Sequence, residues 1–309
     1  MVRVLAQGMR DLGLDPAAGR LHSAAHRATV SFDEKRQLVA SAVAQGGIAC
    51  LAMLGRGLHR FADEPTHSAL TSARDVSDLL ARWARLERYI HSHHRVEVLA
   101  VSGHRACLSH LSKAGRPAPL PAEDLVVLGV LVALLEAIGA ADVIARAGDV
   151  PVYPEPDAKA LAREAQKGNT ARWTIRWSQL TTSARRAGSD ALQPQVVAPQ
   201  GWPDHAQRGF ARLCEDLSTP LTLPALARAQ GEAPRSLQRS LSRAGLTYTQ
   251  LLGEARCRSA SWWLMRTAAP VAEVGYVCGY ADQPHFTRDF RNRVGMTPLR
   301  CRTEFSAPT

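Results

Sequence analysis

Residues 271–302 read VAEVGYVCGYADQPHFTRDFRNRVGMTPLRCR, and this stretch decides the fold of the C-terminal part of the chain. A related stretch, LTLPALARAQGEAPRSLQRSLSRAG, occupies residues 221–245. The two align with an offset that grows from 48 to 50 residues, which indicates small insertions in the second copy. The aligned pairs are Leu226 with Val274, Ala227 with Gly275, Gly231 with Gly279, Leu237 with Phe286, Leu241 with Phe290, and Gly245 with Gly295. One supersecondary unit is therefore used twice.

Each copy has the pattern of a helix-turn-helix: a short helix, a turn containing glycine, and a second helix with an apolar inner face. The small residue four positions before the glycine, Ala227 or Gly275, lets the second helix approach the first closely. Between the copies, Tyr248–Arg266 is predicted to be one helix, about 28 Å long at about 1.5 Å per residue. Two recognition helices joined by such a rod could enter successive major-groove segments, which recur about 34 Å apart.

The second helix of each copy carries polar and basic residues outside its apolar face. In the first copy, Arg235, Arg239 and Arg243 lie at i, i+4 and i+8, and residues 234–245 contain no acid. The second copy offers Gln283, His285, Thr287, Arg288, Arg291 and Arg293, with Asp289 as its one acid. Glutamine pairs with adenine edges, and arginine with guanine edges or phosphates. One stripe alone favours the solvated face of a helical bundle, but two stripes at matching positions of a repeat favour duplex DNA as the partner.

In these residues the chain resembles the AraC/XylS family of bacterial transcription regulators. The family's second unit has a hydrophobic-Ala-Glu-hydrophobic helix, then Phe-x-Arg-x-Phe-Arg, then Gly-Met-Thr-Pro, as residues 271–302 do. The resemblance implies that double-stranded promoter DNA and RNA polymerase are the partners. Carried over position by position, it implies groove-facing roles for Arg235, Ser236, Gln238 and Arg239 in the first recognition helix, and for Gln283, Pro284, His285, Thr287 and Arg288 in the second. Arg243 and Arg291 complete the predicted DNA-binding set.

Three positions depart from the family pattern. Ala233 stands where a helix-capping Ser or Thr is common, and loss of that cap costs about 1 kcal/mol. Pro284 stands where a serine often occurs; proline is tolerated in a first helical turn but removes an N–H that could bind phosphate. Cys301 replaces the usual tyrosine.

Upstream of the repeat, the sequence contains both helical and strand periodicities of apolar residues. We predict an α+β sensor domain over residues 1–182, a Gly-, Ser-, Gln- and Pro-containing linker over 183–201, and an all-α DNA-binding domain over 202–305 in which a long helix joins two helix-turn-helix units. The predicted N-terminal helices are Val2–Leu12, Asp33–Leu54, Asp75–Ile90 and Ala122–Ala140, and the predicted strands are Val96–Val101, Ala106–Leu111 and Ala171–Leu180.

The N-terminal part also resembles the sensor domain of an AraC-family branch that includes ornithine- and arginine-responsive regulators. The supporting stretches are LAQGMRDLGLDPAAG near the start, LTSARDVSDLLARWARLERYI, and DVPVYPEPDAKALAREA. The resemblance implies an α/β domain that binds a small-molecule effector and forms a homodimer. A constitutive dimeric DNA binder that needs no effector is the alternative.

Several groups of side chains in the N-terminal part could form a binding site, but we favour a structural interpretation for each. The groups are the histidines His91, His93, His94 and His104 as a metal site, the aromatic residues Trp83, Tyr89, Trp173 and Trp177 as a pocket, and the arginines Arg82, Arg85, Arg172 and Arg176 as an anion site. Solvated or structural histidines, core aromatics and a solvated arginine face are the favoured alternatives. No common catalytic, dinucleotide or P-loop motif occurs, so we expect neither an enzyme nor a cofactor nor a metal.

Composition limits the remaining possibilities. The chain is 46% hydrophobic and 21% charged, which excludes a largely disordered protein, and its net charge of +10 favours a polyanion partner. The apolar run Leu125–Leu135 is too short to span a bilayer and indicates a buried helix, and no signal peptide is evident, so we expect a cytoplasmic protein without a membrane partner. An alkyl-transfer sensor enzyme would need a reactive cysteine, whereas Cys50 and Cys107 lie in apolar stretches typical of buried, inert thiols.

Overall fold

A computed structural model describes residues 2–16, 32–61, 65–71, 73–89, 92–181 and 194–305. The chain divides into two compact units, and the main division falls near residue 190. Residues 183–193, most of the predicted linker, lie outside the described residues, and residues 194–203 contain neither helix nor strand.

The N-terminal unit contains helices together with an antiparallel sheet. Its α-helices are α1 (Val2–Asp11), α2 (Phe32–Gly46), α3 (Pro65–Thr71), α4 (Val76–Tyr89), α5 (Pro121–Ala137) and α6 (Ala158–Gln166). Two 3-10 helices, Ile48–Cys50 and Leu54–Phe61, follow α2. The strands are β1 (His94–Ser102), β2 (Arg105–Ser112), β3 (Ala140–Ala141), β4 (Ile144–Ala147), β5 (Val150–Tyr153), β6 (Arg172–Arg176) and β7 (Gln179–Leu180).

Five of these strands form one antiparallel sheet in the order β1-β2-β6-β4-β5, and β3 pairs with β7 in a separate two-stranded sheet. The predicted apolar face of β6 is buried, with Trp173 and Ile175 in the core. Helix α5 is buried around most of its circumference, as its uncharged run predicts, and Leu125 to Leu135 are all buried residues. The predicted α+β class is confirmed.

Two predicted N-terminal elements were too long. The helix predicted over Asp33–Leu54 ends at Gly46 because Gly47 adopts a positive φ of 70°, and the chain then continues in 3-10 turns. The strand predicted over Ala171–Leu180 stops at Arg176, and residues 179–180 pair with β3 instead of continuing the main sheet. Strands β4 and β5 were not predicted, since they have only four residues each, too few for a period to show. Helix α6 was not predicted either.

The structure decides several of the open side-chain assignments in the N-terminal unit. Trp83, Trp173 and Trp177 are buried core residues. Arg82 is buried rather than solvated, because its guanidinium donates to the Asp78 carboxylate and to the Ala69 carbonyl oxygen. The expectation of a solvated face is therefore wrong for Arg82.

The two cysteines that we expected to be buried in this unit differ in part from that expectation, whereas His94 is a structural histidine. Cys50 and Cys107 are half-buried rather than buried, and burial raises the pKa of the Cys50 thiol. His91 lies outside the described residues, and His94 is buried with its Nε2 atom 3.2 Å from the Pro117 carbonyl oxygen. Among the described side chains, no group of three or more His, Cys, Asp and Glu is arranged to bind a metal ion.

The C-terminal unit is helical throughout its described elements. It consists of α7 (Asp204–Cys214), α8 (Leu223–Ala229), α9 (Pro234–Arg243), α10 (Tyr248–Arg266), α11 (Val271–Val277), α12 (Gln283–Val294) and α13 (Pro298–Phe305). The predicted long helix is confirmed with the bounds Tyr248–Arg266. Its first turn is fixed by a capping box in which Thr247 and Gln250 satisfy each other's backbone N–H groups.

In the described part of the chain, no single helix is long and apolar enough to cross a membrane. One bent pair of segments, Lys35–Gly46 and Ile48–Phe61, meets the length and composition test together, with an angle of 118° at the break.

Candidate nucleic-acid interface

The first helix-turn-helix unit consists of α8 and α9. Thr222 caps α8 by accepting a hydrogen bond from the Ala225 N–H, and Gly231 then reverses the chain with a φ of +73°. Ala233 is the N-cap of α9 and offers no side-chain acceptor, which confirms the departure expected from the sequence. Leu237 and Leu241 face inward and are buried against Leu226 and Ala227 of α8, among other residues of the same core.

The second unit, α11 and α12, repeats this arrangement with better local capping. The Asp282 carboxylate accepts a hydrogen bond from the His285 N–H at 2.6 Å, and Gly279 makes the turn with a φ of +79°. Gly275 permits the close approach that the sequence predicts, since a Cβ atom there would lie 2.6 Å from Cδ1 of Phe286. Phe286 and Phe290 are fully buried on the inner face of α12.

The outer faces of α9 and α12 present the predicted DNA-binding residues to solvent. Arg235, Gln238, Arg239 and Arg243 are exposed on α9, and Ser236 is half-buried. On α12, Gln283, Pro284, Arg288 and Arg291 are exposed, and His285 and Thr287 are half-buried. The structure therefore brings the predicted set together on two outer helix faces.

Five arginines on these faces form no ion pair with an acid of the described residues. Among the described residues, no carboxylate lies within 4.0 Å of Arg235, Arg239, Arg243, Arg288 or Arg291. By contrast, the neighbouring arginines Arg258, Arg293 and Arg300 all pair with acids. A guanidinium without an acidic partner retains its donors for phosphate oxygens or guanine edges.

Arg293, which the sequence grouped with the basic residues of the second copy, has a different role. Its Nε donates to both carboxylate oxygens of Asp289, at 3.0 and 3.1 Å, and its guanidinium also lies 3.8 Å from Glu254 of α10. Burial works to lower the pKa of Arg293, but the hydrogen bond and the charge of Asp289 outweigh it and raise the pKa. Gly253 leaves the space that the guanidinium fills, because a Cβ there would overlap it. Arg293 therefore fastens α12 to α10.

Asp289 is fixed from a second direction as well. The Tyr280 hydroxyl donates to its Oδ2 atom at 3.1 Å, and burial followed by the Asp289 charge raises the pKa of Tyr280. The i, i+4 spacing of Asp289 and Arg293 is visible in the sequence and could have revealed the pair. The contact with Glu254 could not have been found that way, because it joins residues 39 positions apart.

Two helix-turn-helix units on one connecting helix, each with a polar outer face and an apolar inner face, define a double helix-turn-helix DNA-binding domain. A family model described as a helix-turn-helix domain matches residues 226–304. This C-terminal part of the chain is therefore similar to the DNA-binding domains of AraC-type transcription regulators.

Two relatives illustrate the similarity. The chain is 38% identical over 85 residues to the ornithine utilization regulator of Pseudomonas aeruginosa, and 33% identical over 84 residues to the transcriptional activator NphR of Rhodococcus sp. These matches cover 26% and 27% of this chain and 25% of each relative. The chain thus matches only about a quarter of the length of these curated relatives.

A similarity over most of the chain exists to the crystal structure of the transcriptional regulator CdpR from Pseudomonas aeruginosa. It covers 97% of both chains at 19% sequence identity, with a TM-score of 0.36.

Proposed function

We propose that this chain is a sequence-specific transcription regulator whose helices α9 and α12 read two adjacent major-groove segments of double-stranded promoter DNA. One observation carries the proposal: five exposed arginines, none with a carboxylate of the described residues within 4.0 Å, lie on the outer faces of two helices that occupy equivalent positions in a repeat. The inner faces of α9 and α12 are buried, so the outer faces are the ones open to a partner.

Specific roles follow from side-chain chemistry. Arg239 and Arg288 stand at equivalent positions of the repeat, so we assign each to a base edge in its own groove segment. Gln238 and Gln283 suit adenine edges, and Arg235, Arg243 and Arg291 suit phosphates. Ser236, Pro284, His285 and Thr287 complete the contact surface.

The N-terminal residues 1–182 act as the sensor and dimerisation domain in this proposal, residues 183–201 as the linker, and residues 202–305 as the DNA-binding domain. Control requires an effector that binds the DNA-competent arrangement of the protein more tightly than the incompetent one. Equal affinity for both arrangements would leave their populations unchanged. The homodimer and the contact with RNA polymerase rest on the resemblance to the family.

A selection experiment with the full chain tests the DNA-binding proposal. Random duplexes are selected for binding at roughly physiological salt, and the enriched site is then titrated with wild type, Arg239→Ala and Arg288→Ala. Each substitution should lose about 1–3 kcal/mol of discrimination at one base position. Arg208→Ala is the matched control, since Arg208 is an exposed arginine on α7, outside both recognition helices.

The selection has clear adverse outcomes. If no sequence is enriched, the chain does not read DNA sequence. If both substitutions bind the enriched site as tightly as wild type and Arg208→Ala do, the assignment of Arg239 and Arg288 as base readers is wrong.

A further inference from the structure

A groove of about 450 Å³ lies in the N-terminal unit between α2 and the beginning of α5. Its apolar wall consists of Val39, Ala40, Val43, Ala44, Leu120 and Ala122. Charged side chains, Lys35, Arg36 and Glu123, line the rest of it. The volume is in the range of sites that bind small organic molecules.

The sequence of α2 arranges these residues in two parallel stripes. Lys35, Val39 and Val43 follow each other at four-residue spacing, and Arg36, Ala40 and Ala44 do the same. Residues at i and i+4 share a helix face, so each stripe begins with a cation and continues with apolar side chains. From Lys35 to Ala44 the helix rises about 13 Å at about 1.5 Å per residue. The α2 wall is therefore cationic at one end and apolar at the other.

The two cations at the cationic end, Arg36 and Lys35, differ in how close their nearest counter-ion lies. Arg36 forms an ion pair with Glu123, with 3.4 Å between Nε and Oε1. Glu123 is also engaged at the start of α5, where it accepts the Leu120 N–H at 2.9 Å. Among the described side chains, no carboxylate lies within 4.0 Å of Lys35. Burial lowers the pKa of Lys35, and the more distant charge of Glu123 offsets this only in part. One cation at this end therefore has no close counter-ion among the described side chains.

We infer that the groove binds a small organic monocarboxylate, with the carboxylate at Lys35 and the apolar body along Val39, Val43 and Leu120. An anion placed there would give the Lys35 ammonium the counter-ion that the described side chains do not provide. Each methylene removed from water along the apolar wall should tighten binding about three- to fourfold. The inference rests on the proposed effector-binding role of this unit and names the site and the chemical class of that effector.

Paired probes that differ only in charge test this assignment. Titration calorimetry of the full chain uses octanoate and 4-phenylbutyrate, each compared with its neutral amide. We expect at least one carboxylate to bind saturably and at least about tenfold more tightly than its amide, which corresponds to about 1.4 kcal/mol. A longer carboxylate of the same series should bind more tightly than a shorter one.

Three variants locate the site. Lys35→Met should remove the preference for carboxylate over amide, because it keeps the length of the side chain and removes the charge. Ala40→Phe should weaken every probe, because residue 40 is exposed and lines the groove, so that the ring occupies the groove without disturbing the core. Lys159→Met, which removes an exposed lysine from α6 of the same unit, should change nothing. Circular dichroism spectra of all variants should match wild type.

The outcomes are separable from those of the DNA-binding proposal. If neither carboxylate binds at up to millimolar concentration, if amides bind equally well, or if Lys35→Met retains the preference, the inference is overturned. The selection of a DNA site by the full chain is unaffected by any of these results. A neutral or cationic metabolite that stabilises the protein with Lys35→Met as well as with wild type would leave the effector role intact and would refute this site.

Discussion

Substitution of the two turn glycines by alanine makes a matched pair of perturbations. Gly231 and Gly279 occupy equivalent positions in the two helix-turn-helix units, with φ angles of +73° and +79°. An L-residue in this conformation costs about 1–2 kcal/mol at either position. The surroundings differ, since a Cβ at residue 231 meets nothing within 4 Å, whereas a Cβ at residue 279 would overlap the Leu217 carbonyl oxygen.

The difference in surroundings sets the expected magnitudes. Gly231→Ala should destabilise its turn by about 1–2 kcal/mol, the cost of the backbone conformation alone. Gly279→Ala adds an overpacking cost of about 1–3 kcal/mol, because the overlapping atom belongs to the backbone and cannot rotate away. The second substitution should therefore increase local opening about 5- to 150-fold more than the first.

Hydrogen–deuterium exchange of the full chain measures both effects locally. The amide of Tyr280, which donates to the Gly275 carbonyl at 3.1 Å, reports on the second turn, and the amide of Glu232, which donates to Ala227 at 2.9 Å, reports on the first. Exchange should accelerate strongly around Tyr280 in Gly279→Ala and modestly around Glu232 in Gly231→Ala. Equal acceleration in the two variants would refute the reasoning from the Leu217 contact.

Three further predictions concern stability. Ala233→Ser should stabilise α9 by about 0.5–1 kcal/mol by adding the missing N-cap acceptor, and unchanged urea unfolding would show that another group already satisfies those N–H groups. Arg293→Met should weaken the protection of α12 amides from hydrogen exchange by about 1 kcal/mol or less, since its ion pairs are partly exposed. The control Arg291→Met should leave that protection unchanged. Equal effects of the two substitutions would argue against fastening by Arg293. Burial raises the pKa of the Glu87 carboxyl above 4.5, although Val96 N and Trp83 Nε1 donate hydrogen bonds to it. The folded state therefore binds the proton of Glu87 more readily than the unfolded state does. Its contribution to stability is lost as the pH rises through the raised pKa. Glu87→Gln should therefore gain stability relative to wild type as the pH rises from below 4.5 to neutral, and parallel pH profiles would contradict this.

The C-terminal elements could be predicted from the sequence because their signals are local. The capping pair Thr247 and Gln250 and the apolar spacing within Tyr248–Arg266 fix the long helix without help from the rest of the chain. The outer faces of α9 and α12 could be predicted because the repeat supplies an internal comparison. Once Leu237 and Phe286 are placed inside, Arg239 and Arg288 must lie outside.

The N-terminal unit was less predictable because burial and strand pairing there depend on contacts that the local sequence pattern does not specify. Arg82 reads as a surface residue, yet it is buried because Asp78 and the Ala69 carbonyl satisfy its donors. Strand β4 contains Arg146 in a four-residue run, and its pairing with β6 is decided by the register of the sheet rather than by its own composition. The groove beside Lys35 depends on Leu120 and Glu123, which lie 85 or more residues away in the sequence.

The most direct test of the central claim is the base preference at each position of the selected DNA site, measured for wild type, Arg239→Ala and Arg288→Ala. If α9 and α12 each read their own major-groove segment, each substitution will relax the preference at a different position, and the two positions will lie about one helical turn, or roughly 10 base pairs, apart. If both substitutions relax the same position, or if neither alters any preference while affinity falls uniformly, the two helices do not read separate segments.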